Sequence, residues 1–258
     1  MYYSWDWDND GGYFKPGEER EMDEPRGLAI RALKIEVAYF LKSMGISPLP
    51  MTDNGVFGVN LGGNVKKAQE LSFLTQDKVV GPRTTRAIIL PRIETWQTKL
   101  SIPNNYTLRQ IELESGVYLA CRNTYRFETL PEGALDDPKG DHGLAQISDP
   151  LNAHFPFDNA LVCPDGDIKY AYRVGVNVKY MAENQASTFK KIVKLFPNLS
   201  VEDQWKVTLF SHNAPEWAKE WAAAGLPDSG GGTVKVGNWT GDKFTWATMY
   251  VNAVLARS

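Results

Sequence analysis

The sequence predicts a mainly α-helical protein, and three observations carry that expectation. Apolar residues recur at three- and four-residue spacing through most segments after residue 26, whereas strict apolar/polar alternation never lasts more than a few positions. Helix stops and starts punctuate those segments, with Gly45 placed to end one and Pro82 suited to the first turn of another. Hydrophobic residues make up 43% of the 258-residue chain and charged residues 23%, enough apolar material for a substantial core. A small β-hairpin is the most strand that this pattern admits.

Residues 1–25 read as an N-terminal arm. They carry Gly11-Gly12, Pro16-Gly17, an acidic cluster from Glu18 to Glu24, and Pro25. A first domain is expected over residues 26–90. Leu33, Val37, Phe40, Leu41 and Met44 mark its first helix, which Gly45 closes. Asp53-Asn54-Gly55-Val56-Phe57-Gly58 follows as a tight turn. A second helix carries Val65, Ala68 and Gln69, and Val80-Gly81-Pro82 opens a third.

The second domain is expected over residues 91–258. Ile93, Trp96, Gln97 and Leu100 begin a helix that Ile102-Pro103 breaks, and Thr107 is positioned to cap the next, which carries Leu108, Ile111 and Glu114. A loop rich in turn formers, from Pro131 to Asp141, leads into Gly143-Leu144-Ala145-Gln146-Ile147. Four further helices are expected from Tyr170 to about Phe189, Val201 to Phe210, Pro215 to Ala224, and Phe244 to Ala256. Ser229-Gly230-Gly231-Gly232 reads as a flexible loop between the last two.

Composition narrows the function class. The formal charge is -3 and no basic stripe is visible, which argues against a nucleic-acid partner. No stretch approaches the roughly 20 apolar residues of a membrane span. The aromatic and acidic start, Met1 to Asp10, lacks the pattern of a secretory signal, so synthesis in the cytoplasm is expected. Cys121 and Cys163 sit among apolar neighbours and read as buried free thiols. His142, His154 and His212 are dispersed without His-Glu-x-x-His spacing, so neither a metal nor another cofactor is expected.

One acidic residue stands out. Glu114 lies among Ile111, Leu113, Val117 and Leu119, and an apolar wall removes water from a carboxyl and raises its pKa. An acid that keeps its proton near neutral pH can donate it to a glycosidic oxygen.

Two resemblances give that acid a context. The order of helix, D-x-G-x-F-G turn, Ala-Gln helix and V-G-P-x-T over residues 26–90 resembles the three-helix peptidoglycan-binding module of cell-wall hydrolases. It implies Asp53, Phe57 and Gln69 as wall-binding candidates. The series Thr107 to Gly116, Gly143 to Ile147, Gly175 with Tyr180, Ser211-His212-Asn213-Ala214 and Thr248-Met249-Tyr250-Val251 is similar to soluble lytic transglycosylases and goose-type lysozymes. Taken whole, the chain looks like a modular bacteriophage endolysin, and a bacterial wall-remodelling enzyme shares the same parts.

The second resemblance implies a lysozyme-like fold for residues 91–258. It implies Glu114 as catalytic acid, Ser115 orienting nearby groups, and Gly143, Gln146, His212 and Asn213 lining the sugar groove. The chain departs from the family in carrying His212 where a tyrosine is frequent and Pro215 where a glycine is frequent. A second carboxylate, if one serves as base, is expected at Asp137; Asp141 and Asp149, just beyond Ser148, are alternatives, and each also suits a turn. Hydrolysis and ring closure to a 1,6-anhydro product both stay open. The expected partner is bacterial peptidoglycan, met by a monomer. A glycan-binding or structural phage component that lost its chemistry is the competing class.

Overall fold

A computed structural model describes residues 13–20, 25–115, 122–123, 141–142, 144–145, 147–148, 174–236 and 239–257. Eight helices are present among them: α1 (Pro25–Ser43), α2 (Val59–Leu71), α3 (Pro82–Leu100), α4 (Tyr106–Ser115), α5 (Val174–Leu195), α6 (Val201–Ser211), α7 (Pro215–Ala223) and α8 (Lys243–Leu255). Three two-residue strands, β1 (Arg122–Asn123), β2 (Asp141–His142) and β3 (Ile147–Ser148), form an antiparallel sheet in that order. Strands β4 (Thr233–Val236) and β5 (Trp239–Asp242) form a hairpin. The mainly helical class expected from sequence is observed. Among the described residues no helix is long and apolar enough to cross a membrane.

The chain divides into two compact units, one of residues 1–95 and 114–180, the other of residues 96–113 and 181–258. The expected boundary at residue 90 falls inside α3, which runs on through Pro91. Proline removes one helical N–H, and the Pro91 carbonyl accepts the Thr95 hydroxyl at 2.8 Å.

In the first unit, α1 turns its buried stripe of Ile30, Leu33, Val37, Phe40 and Leu41 inward, as its periodicity predicts. Met44, expected on that stripe, is half exposed. Residues 13–20 of the arm are stitched to the turn motifs. Phe14 exchanges two backbone hydrogen bonds with Val80, Phe57 N–H donates to Glu18 C=O, and Arg20 N–H donates to Gly55 C=O. A side chain at Gly55 would collide with the Arg20 carbonyl, and one at Gly81 with the Tyr13 ring. Those two glycines are needed for close approach of the arm.

Glu36 and Arg92 are also paired in this unit. Arg92 Nε lies 2.8 Å from a Glu36 carboxylate oxygen, and the guanidinium carbon stands 3.9 Å from the Tyr39 ring centroid.

The second unit is built on an aromatic core. Phe210 meets Trp221 edge-on at 6.0 Å, and Phe189 stacks on Trp205 at 4.1 Å. A polar network runs through it. Gln110 donates to Leu209 C=O and to the Tyr250 hydroxyl, both at 3.0 Å, and accepts from Gln185 at 2.7 Å. Thr107, expected to cap α4, lies inside the helix and donates its hydroxyl to Gln185 at 2.7 Å. Gly230 and Gly231 of the expected flexible loop lie against the Phe244 ring, and Gly230 N–H donates to Asp242 at 2.7 Å.

Candidate active site

Helix α4 carries the candidate acid at its C-terminal end. Ile111 and Leu113 are buried, as their spacing predicts, and Glu114 itself is only 6% exposed beside a fully buried Ser115. A carboxyl so placed is largely removed from water, and desolvation disfavours the charged form. Gly116, Val117 and Leu119 lie outside the described residues, as do Asp137, Gly143, Gln146 and Asp149. Of the alternative positions for a second carboxylate, Asp141 pairs across β2 and β3 with Ser148.

Within the G-L-A-Q segment, Leu144 and Ala145 form a buried turn. The Ala145 N–H donates to the carboxamide oxygen of Asn177 at 2.8 Å. Asn177 is fully buried on α5, between the buried Val174 and Val178. Sequence reasoning used Gly175 and Tyr180 from this helix but passed over Asn177. A polar residue on an otherwise apolar stripe was the available signal, because a buried carboxamide needs a partner.

In the second unit, Ser211-His212-Asn213-Ala214 makes the tight connection from α6 to α7. The Ser211 hydroxyl folds back on Val207 C=O at 2.8 Å, and the Asn213 and Ala214 N–H groups donate to Phe210 C=O at 3.0 and 3.1 Å. His212 Nδ1 lies 3.3 Å from the carboxamide nitrogen of Asn184, whose oxygen accepts the Thr188 hydroxyl at 3.2 Å. With the Asn184 nitrogen donating, Nδ1 is the acceptor and the ring proton sits on Nε2. The Asn213 oxygen accepts from the Trp246 indole at 3.1 Å. Asn184 and Trp246 were not singled out from sequence, since their partners lie 28 and 33 residues away.

The three wall-binding candidates are placed differently from one another. Asp53 faces solvent and holds Arg31 through two hydrogen bonds of 2.7 and 2.8 Å. Phe57 and Gln69, which the resemblance implied as wall-binding candidates, are buried. The Phe57 ring belongs to the core. Gln69 holds the 77–84 turn, donating to Asp77 at 2.8 Å, Val79 C=O at 3.0 Å and Thr84 at 3.3 Å while accepting the Lys78 N–H at 3.0 Å. An Ala-Gln pair marks this helix because its carboxamide satisfies turn backbone that would otherwise be buried unpaired.

No family model, curated protein or solved structure matches the chain.

Proposed function

We propose that the chain is a peptidoglycan glycosidase of the endolysin kind, made in the host cytoplasm and acting on the bacterial wall. It cleaves the bond between N-acetylmuramic acid and N-acetylglucosamine. The observation that carries this reading is the shielding of Glu114, 6% exposed at the end of a helix that is buried on nearly every side and followed by the buried Ser115. Glu114 protonates the glycosidic oxygen as the bond to the leaving sugar breaks. Gly143, Gln146, His212 and Asn213 are proposed to bind the saccharide, and residues 26–90 to hold the enzyme on its insoluble substrate.

Two completions follow from the same first step. With Asp137 as base, water attacks the far side of the ring, which requires carboxyl groups about 6.5–9.5 Å apart. In the other, the C6 hydroxyl of the muramic acid attacks its own C1. Glu114 then takes the hydroxyl proton back, and the product is a 1,6-anhydro sugar. Intramolecular attack needs no positioned water and gains several orders of magnitude in effective concentration.

Mass spectrometry of fragments released from purified cell walls tests the reading. Disaccharide-peptides should appear, with reducing ends after hydrolysis or ends lighter by one water after ring closure. Release of no glycan fragments, or of peptides alone, overturns it.

A further inference from the structure

Helix α2 ends at Leu71, and the second residue beyond it is Phe73, whose backbone takes φ of +55° and whose side chain is 97% exposed. A bulky side chain is disfavoured in that left-handed conformation, where glycine carries no penalty. The conformation is fixed from within the chain. Phe73 N–H donates to Glu70 C=O at 3.2 Å, and Leu74 N–H to Gln69 C=O at 2.8 Å. Leu226 takes the same conformation at φ of +60°, but its side chain packs against the aromatic core of the second unit. The Phe73 ring has no such packing to offset the strain. A bulky residue kept in strained backbone and held out in water points to a contact made outside the chain.

The surroundings of the ring narrow that contact. Among the described residues the next most exposed large apolar side chain is Val59 at 89%, at the opposite end of α2, about 18 Å away along the helix. A lone phenyl ring offers far less than the roughly 800 Å² that each partner gives to a stable protein interface, which argues against a second copy or a protein partner. Exposed polar residues follow it directly: Thr75, Gln76, Asp77 and Lys78. The side chains of Thr75 and Gln76 make no hydrogen bond among the described residues. The main-chain N–H groups of Phe73, Leu74, Lys78, Val79 and Val80 are taken within the chain. An extended peptide is gripped through free main-chain groups, and this turn uses most of its donors internally. A pyranose fits what is left. Its axial C–H groups are slightly positive and suit the electron-rich face of a ring of about its own size, and its substituents suit neighbouring hydroxyl and amide groups. We propose that Phe73 is a wall-binding residue that stacks on one sugar ring of the glycan strand, with Thr75 and Gln76 as its polar neighbours. The proposal rests on the wall-directed reading above and assigns the glycan contact of residues 26–90 to the turn after α2.

Co-sedimentation of the full chain with purified cell walls tests it, in a Glu114→Gln background so that the walls stay intact, and with a second wall sample stripped of its stem peptides by an amidase. Three substitutions are compared: Phe73→Gly, Phe73→Trp, which keeps a stacking face, and Lys78→Gly, which relieves the same left-handed conformation at φ of +64° on the same turn and leaves the ring in place. Thermal unfolding confirms that each is folded. Phe73→Gly should bind both samples about three- to tenfold more weakly, whereas Phe73→Trp and Lys78→Gly should match the parent to within about twofold. Parent-like binding by Phe73→Gly, an equal loss in Lys78→Gly or in Phe73→Trp, or a Phe73 dependence that disappears on stripped walls overturns the proposal; the last result assigns the ring to the peptide. Wall cleavage by chains that keep Glu114 separates the two ideas. Release of glycan fragments with binding indifferent to Phe73 sinks this proposal alone, and Phe73-dependent binding without release of glycan fragments sinks the glycosidase reading alone.

Discussion

The carboxamide oxygen of Asn213 accepts the Trp246 indole N–H at 3.1 Å, and the carboxamide nitrogen of the same side chain makes no hydrogen bond among the described residues. One end of the side chain is thus anchored and the other is a free donor. That is what a residue proposed to hold a sugar acetamido oxygen requires. Trp246→Phe removes the anchor and keeps most of the ring. It is expected to raise KM about three- to tenfold with kcat within about twofold, as read from initial rates on soluble wall fragments.

Phe73 follows α2 with φ of +55° and a side chain 97% exposed. Its N–H donates to Glu70 C=O at 3.2 Å and the Leu74 N–H to Gln69 C=O at 2.8 Å, a helix stop that favours glycine at the Phe73 position. The left-handed conformation costs a bulky residue about 1–2 kcal/mol. Phe73→Gly is expected to stabilise the chain by about 1 kcal/mol in urea unfolding, with little ring burial to lose.

Gln110 joins helices α4, α5, α6 and α8 through bonds to Gln185, Leu209 and Tyr250. Gln110→Leu fits the space but removes three buried hydrogen bonds, each worth about 1 kcal/mol. A loss of at least about 3 kcal/mol in unfolding free energy is expected, against about 1 kcal/mol for an exposed cap such as Ser200→Ala, whose hydroxyl accepts the Asp203 N–H at 3.1 Å.

Burial raises the Glu36 carboxyl above its ordinary value of 4.5, and the hydrogen bond and charge of Arg92 oppose that rise. Between the ordinary and the raised value the folded chain holds more protons than the unfolded chain, so stability falls as pH rises through that window. Unfolding midpoints of the parent relative to Glu36→Gln should therefore decline from pH 4.5 upward and then level off. A difference that grows with pH contradicts the assignment.

The helices were legible where a local signal marks them. Gly45 ends α1 as expected, at φ of +74°, with its N–H on Lys42 C=O and the Ile46 N–H on Leu41 C=O. Ser101 does the same work after α3 at φ of +55°, and serine gives no such signal. Long-range pairing was not legible. Thr107 satisfies a residue 78 positions away instead of a helix end, and Asn177 accepts the amide of Ala145, 32 residues earlier in the chain. At the candidate site the apolar setting of Glu114 could be read from Ile111 and Leu113. In the first unit the turn itself was legible but the direction of its side chains was not, because Phe57 and Gln69 are buried while Asp53 faces out.

The Asn177 hydrogen bond invites a paired test. Asn177→Leu should speed exchange of the Ala145 amide proton and slow wall cleavage, whereas Asn177→Asp keeps an acceptor and should restore part of both. Slow exchange at Ala145 in the leucine variant would show that the bond does not hold the turn.

Turbidity clearance of wall suspensions by Glu114→Gln addresses the proton donor directly. The account predicts a folded protein, unchanged in thermal unfolding to within a few degrees, with its rate reduced by about 10²- to 10⁴-fold. Clearance at the parent rate by that folded variant would contradict it.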